Sequence, residues 1–177
     1  MSKRQKYTGH MANTDTPAVR SRIMPVRWVP DLTRLLPEHP GRYDGPRLAV
    51  WLLGSYLVVI VVRSLIHLAA PDGGAGSIAS IDLSVEGGDN IVGLFGQWGA
   101  IQLLLALVII VLVARYRGLV PFFALALGVE SLLRALSGTL KPIETLGVAP
   151  GAALNDVMGY AMVVVLYLSL SPAKPKG

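Results

Sequence analysis

The chain has 177 residues, 53% of them hydrophobic and only 15% charged, with a net charge of +5, and its mean hydropathy is +0.55. That composition excludes an ordinary water-soluble domain and calls for an apolar solvent. With no cysteine, disulfides, thiolate metal sites, Cys-X-X-Cys redox chemistry and covalent haem attachment are excluded as well.

Residues 1–45 read as a basic, proline-rich arm. Residues 1–47 hold nine Lys or Arg against four acids, Asp15, Asp31, Glu38 and Asp44. Met1 to about Thr16 is polar and aperiodic, which predicts disorder, and Met11 and Met24 are later candidates for the translation start. Pro25, Pro30, Pro37, Pro40 and Pro46 forbid a long helix, leaving a turn or two from Asp31 to Leu36 with Asp31 as N-cap. Arg27, Trp28, Arg34 and Arg42 are the candidate contacts of this arm with the membrane surface or with a partner protein. Its charges are dispersed and match no nucleic-acid-binding signature, so no nucleic-acid partner is expected.

Four apolar segments follow, at Pro46 to Ala69, Ile91 to Ala114, Leu119 to Leu136 and Ala152 to Leu170. Each is near the ~20 residues needed to cross a hydrocarbon core about 30 Å thick. The expected fold is therefore all-α, a polytopic four-helix transmembrane bundle over 46–171, with a short tail at 172–177. The first segment is too long for a signal-peptide core and is expected to be retained.

Charge sets the expected orientation. The basic arm abuts the first span. Ala70 to Asn90 has no Lys or Arg and four acids, and Arg115 and Arg117 mark the next connection. Four spans with both termini in the cytoplasm satisfy this pattern. The turn at Tyr116 to Leu119 is tight and Pro121 suits a first helical turn, so the second and third spans are expected to be antiparallel neighbours.

Ionisable and amide residues inside the spans fall at one depth. At 1.5 Å per residue, Arg63 lies about 24 Å from Arg47, and Glu130 and Arg134 about 18 and 24 Å from Gly118. Asp156 comes out about 22 Å from Ser171, with Gln97 and Gln102 about 27 and 20 Å from Arg115. Arg63 and His67 share a face with Tyr56, and Glu130 and Arg134 share one on the third span. Asp156, Tyr160 and Tyr167 form a stripe on the fourth, while Gln97 points away from Gln102 and Trp98. An ion pair of Arg63 with Glu130 or Asp156 is expected, leaving Arg134 for the other acid or the headgroups.

This polar cluster (Arg63, His67, Gln97, Gln102, Glu130, Arg134, Asp156 and Tyr160) has two readings. It fixes helix register, or it lines an outward cavity for a lipid, ion or quinone-like ligand. A lone His67 without an axial partner reads as a hydrogen-bonded histidine rather than a haem ligand. Gly93, Gly96 and Gly99 allow close helix approach. There is no His-Glu-x-x-His, phosphate loop or Gly-x-Ser-x-Gly, so no catalytic residue, metal site or cofactor is expected.

The stretches Gly88-Asp89-Asn90-Ile91, Leu94-Phe95-Gly96-Gln97-Trp98-Gly99 and Glu130-Ser131-Leu132-Leu133-Arg134-Ala135-Leu136 resemble small bacterial four-helix membrane proteins of unknown function, including DoxX-like ones. The resemblance spans about a third of the chain and implies a bacterial inner-membrane location and no settled activity. The functional expectation is a non-enzymatic accessory or assembly subunit of a larger membrane complex. The alternative is a small oligomeric protein that binds or transports a small molecule, lipid or quinone-like ligand.

Overall fold

The computed structural model describes residues 23–173, so the disorder expected for Met1 to Thr16 lies outside the described residues. Within them the chain is helical, with four long helices, α1 (Arg47–Ala69), α2 (Gly88–Arg115), α3 (Val120–Leu140) and α4 (Pro150–Leu170), and two short 3-10 turns, Leu32–Arg34 and Arg117–Leu119. All four long helices are apolar and long enough to cross a membrane, the architecture of a multi-pass membrane protein. Only 22–28% of the most apolar window of each is buried inside the bundle. The outward surface therefore keeps large side chains such as Val62, Ile101, Leu132 and Val163, which hydrocarbon, not water, would solvate.

The helix boundaries follow local chemistry. Pro121 and Pro150 sit in the first turns of α3 and α4, where a missing N–H costs nothing. Helix α2 begins at Gly88 behind Gly87 in the left-handed region at φ 85°, and Asp89 in its first turn complements the positive helix end. Helix α3 runs four residues past Leu136, because Ser137, Gly138 and Thr139 lower the hydropathy without breaking the helix. There the Thr139 hydroxyl donates back to the Leu136 carbonyl at 2.8 Å.

Helix α1 packs along α2 and also against α4, and α3 packs along α4. Helices α2 and α3 are joined by the short Tyr116–Leu119 connection, yet they lack an extended contact of their own. Antiparallel neighbours by connectivity, they diverge above the turn, where the Trp98 ring and the Arg134 guanidinium lie between them, 5.6 Å apart. The apolar core sits in the half of the bundle nearest the termini, the basal half. There Leu53, Leu57, Ile109, Val120, Phe123, Val165 and Leu168 are buried together.

Part of the arm is strapped across the basal end. Asp31 caps the 3-10 turn by accepting from Thr33 N at 3.1 Å and from the Thr33 hydroxyl at 2.6 Å. Val26 N donates to the Pro172 carbonyl, Asp31 N to Leu170 and Gly118 N to Pro40, all at 2.8–3.0 Å. The Tyr167 hydroxyl donates to the Trp28 carbonyl at 2.6 Å, with the two rings stacked. Burial pushes the Tyr43 phenol above its ordinary pKa, and its hydroxyl donates to the Pro46 carbonyl. At the opposite, distal end, Ile78 and Ser80 of the α1–α2 loop accept from Gly151 N and Leu146 N, tying the two distal connections together.

Candidate functional site

The helices bring polar side chains together in the distal half, around an asparagine. Arg63 of α1 and Arg134 of α3 both donate to Asn155 Oδ1 on α4, Arg134 through Nη1 at 2.9 Å. Arg134 also forms an ion pair with Glu130 one turn earlier. Three helices are thus joined at one amide oxygen, with hydrogen bonds strengthened by charge on the donors. The Arg134 Nε is buried without a partner.

An aromatic group closes the cluster from α2. Trp98 has the Arg63 guanidinium 5.0 Å and the Arg134 guanidinium 5.6 Å from its ring centroid, distances at which a cation is attracted by the ring quadrupole. His67 stacks on the same indole at 5.0 Å, and Phe95 meets both rings edge-on. Two like charges are therefore held by a carboxylate, an amide oxygen and a π face rather than by two acids.

His67 is 1% exposed and its partners fix its tautomer. Arg63 Nε donates to His67 Nε2 at 3.1 Å, so Nε2 is an acceptor. The proton then sits on Nδ1, which lies 2.7 Å from the Gly73 carbonyl and donates to it. Gly73 and Gly74 adopt φ 58° and 71° to bring the loop over the ring, and a Cβ on Gly74 would lie 2.9 Å from Nδ1. Beside them, backbone N–H groups of Ser77 and Gly74 bond the Asp72 carboxylate and hold its pKa down at about 2.

Gly99 explains how α2 reaches this position. A Cβ there would lie 2.6 Å from His67 Cβ and 3.0 Å from both Leu68 N and Ser64 O, so only glycine lets the α1 backbone come so near. Gly96 makes a looser approach and Gly93 faces open space. Next to Gly99 the buried Gln102 accepts from the Ser64 hydroxyl at 3.4 Å.

Of the residues expected to cluster, Arg63, His67, Gln102, Glu130 and Arg134 come together. Gln97 is exposed. Asp156 and Tyr160 lie on the outward face of α4, with Tyr160 76% exposed. The expected ion pair of Arg63 with Glu130 or Asp156 is replaced: Glu130 is taken by Arg134, Asp156 faces outward, and Arg63 uses the neutral partners His67 and Asn155. In the arm, Arg34 pairs with Asp31, whereas Arg27, Trp28 and Arg42 are exposed.

Asn155 is the residue that charge counting missed. Asn155, Gly159 and Met162 recur at i, i+4 and i+7, the inward stripe of α4, and Met162 is 1% exposed. Small and apolar residues alternating with an amide at that period are the signal that would have found it. Among the described residues no group of His, Asp and Glu is arranged to hold a metal ion. Comparison with protein-family models, with curated proteins and with solved structures finds no match to this chain.

Proposed function

We propose that this protein is a non-enzymatic accessory subunit of a bacterial inner-membrane complex, with both termini in the cytoplasm and a partner helix docked on the outward face of α4. Asp156 carries this reading. Three in-span charges, Arg63, Glu130 and Arg134, turn inward and are bonded within the bundle. Asp156 is exposed on α4 and makes no ion pair among the described residues.

Helical rise puts Asp156 about 9 Å inside the start of α4. A carboxylate facing hydrocarbon is unfavourable, by about 2.5–3.5 kcal/mol at the membrane centre and less towards the interface. A cationic or hydrogen-bond-donating side chain on a neighbouring helix would remove that cost. Tyr160, one turn on and exposed, supplies a second polar contact. The basic arm, strapped over the basal end, presents Arg27 and Arg42 as a fixed surface for the same partner.

The test is gentle extraction at native abundance followed by native mass spectrometry. A stoichiometric protein partner is expected with the natural chain and is lost with Asp156→Leu while helical content is unchanged. Recovery of the natural chain alone, or an identical partner on Asp156→Leu, would sink the reading.

A further inference from the structure

Because α2 and α3 diverge, a cleft of about 180 Å³ remains between them with α1 as its floor. Its distal end is polar, formed by Trp98, Gln102 and Glu130, and the rest is apolar, with Ile101, Leu105 and Ile109 of α2 facing Leu127 of α3. Ile101 is 69% and Leu105 46% exposed, so the cleft opens sideways, towards the lipid that would surround the bundle. The α2 wall from Trp98 to Ile109 is about 16 Å long.

From this arrangement we infer that the cleft binds a neutral, single-tailed amphiphile with a hydrogen-bond-accepting head. The inference goes beyond the docking reading, since it uses the α2–α3 side and not the face that carries Asp156. The one charged group that lines the cleft is the Glu130 carboxylate, already paired with Arg134, and neither guanidinium is part of the lining, so the polar end favours a neutral head over a phosphate. Gln102 provides an amide 8% exposed, whose NH2 group can donate to a carbonyl or hydroxyl oxygen while its Oε1 is held by Ser64. The volume lies below the roughly 300–1,000 Å³ of drug-sized pockets. It therefore takes a compact head and the first part of one tail, with the remainder in lipid. A quinone and a prenyl alcohol both have this chemistry.

Trp98 lines the cleft and reports on its occupancy. In a Trp28→Phe, Trp51→Phe background, the detergent-solubilised full chain is titrated with a decyl-tailed benzoquinone, which quenches indole fluorescence, and then with a prenyl alcohol as competitor. Saturable quenching is expected, with its apparent Kd raised about ten-fold by Gln102→Leu, the loss of one hydrogen bond. Leu105→Phe narrows the apolar part from an exposed wall position and weakens binding by a similar factor. Displacement by prenyl alcohol at concentrations below the quinone's points to the alcohol as the natural class, and failure to displace points to the quinone. Non-saturating quenching, or saturable quenching untouched by both substitutions in folded protein, is partition into detergent only and overturns the inference.

Discussion

Arg63 and Arg134, from helices that touch each other only sparsely, donate to the same oxygen, Asn155 Oδ1. A shared neutral acceptor between two cations makes that amide the point at which α1, α3 and α4 are registered. Asn155→Leu would leave both guanidinium groups short of an acceptor in a low-dielectric setting. The expected loss is about 2–4 kcal/mol, from two bonds to charged donors, read as a lower midpoint in detergent-denaturation titrations. Asn155→Asp, which keeps the oxygen and adds a charge opposite to the arginines, should retain most of the stability. Equal loss in both variants would show that side-chain volume, and not the acceptor, matters at this position.

Glycines on α2 give a built-in control. Gly99→Ala places a Cβ 2.6 Å from His67 Cβ, so α1 and α2 must separate, at about 1–3 kcal/mol. Gly93→Ala meets nothing within 4 Å and should be neutral or stabilising by up to about 1 kcal/mol through helix propensity. Thermal unfolding of the two variants side by side separates close packing from a general effect of losing glycine.

Much of this architecture was legible in advance because hydropathy and helix length are strong, local signals. The four spans follow from hydropathy and length, the Asp31 cap from the residue type before a short turn, and the similar depth of Arg63, His67, Gln102, Glu130 and Arg134 from helical rise and i, i+4 spacing. What spacing could not give is which stripe of α4 faces inward. Asp156, Tyr160 and Tyr167 do form a stripe, but the neighbouring stripe with Asn155 and Met162 is the one that packs. Charge pointed to the wrong member of an adjacent pair, since Asn155 and Asp156 are one residue and about 100° apart on the helix. The splay of α2 from α3 was likewise hidden, because it results from the bulk of Trp98 and Arg134 meeting across helices.

The distal loop has a pH response of definite sign. Asp72 is held at about 2 by the N–H groups of Ser77 and Gly74, below the ordinary carboxylate value. Its contribution to loop order is therefore complete above about pH 4. It is lost as pH falls through about 2. Amide chemical shifts of Gly74 and Ser77 should titrate with that midpoint, and Asp72→Asn should abolish the titration. A midpoint near the ordinary aspartate value would contradict the hydrogen-bonded geometry.

One side-chain anchor of the arm strap can be removed without touching the core. Tyr167→Phe deletes the 2.6 Å bond to the Trp28 carbonyl but keeps the stacked ring. Limited proteolysis between Ile23 and Leu36 should speed up several-fold, an effect consistent with losing about 1 kcal/mol of local order, while the midpoint for the helices stays unchanged. An unchanged cleavage rate would assign the strap to its backbone bonds with Leu170 and Pro172.

His67 gives the sharpest spectroscopic test, because its two nitrogens have opposite duties. Nε2 must accept from Arg63, and Nδ1 must donate to Gly73. Nitrogen-15 spectra of histidine-labelled protein carrying His10→Gln and His39→Gln should then show a neutral ring protonated at Nδ1, the less common tautomer in solution. A ring protonated at Nε2 would place two donors face to face with Arg63 and rule out the bond. His67→Phe keeps ring contacts with Phe95 and Trp98 but removes both hydrogen bonds, leaving the Gly73 carbonyl and one Arg63 N–H unsatisfied. The expected cost is about 2 kcal/mol or more. It should appear first as faster hydrogen exchange in the loop from Ala70 to Gly87, since that loop loses its tie to α1, and only then in the bundle.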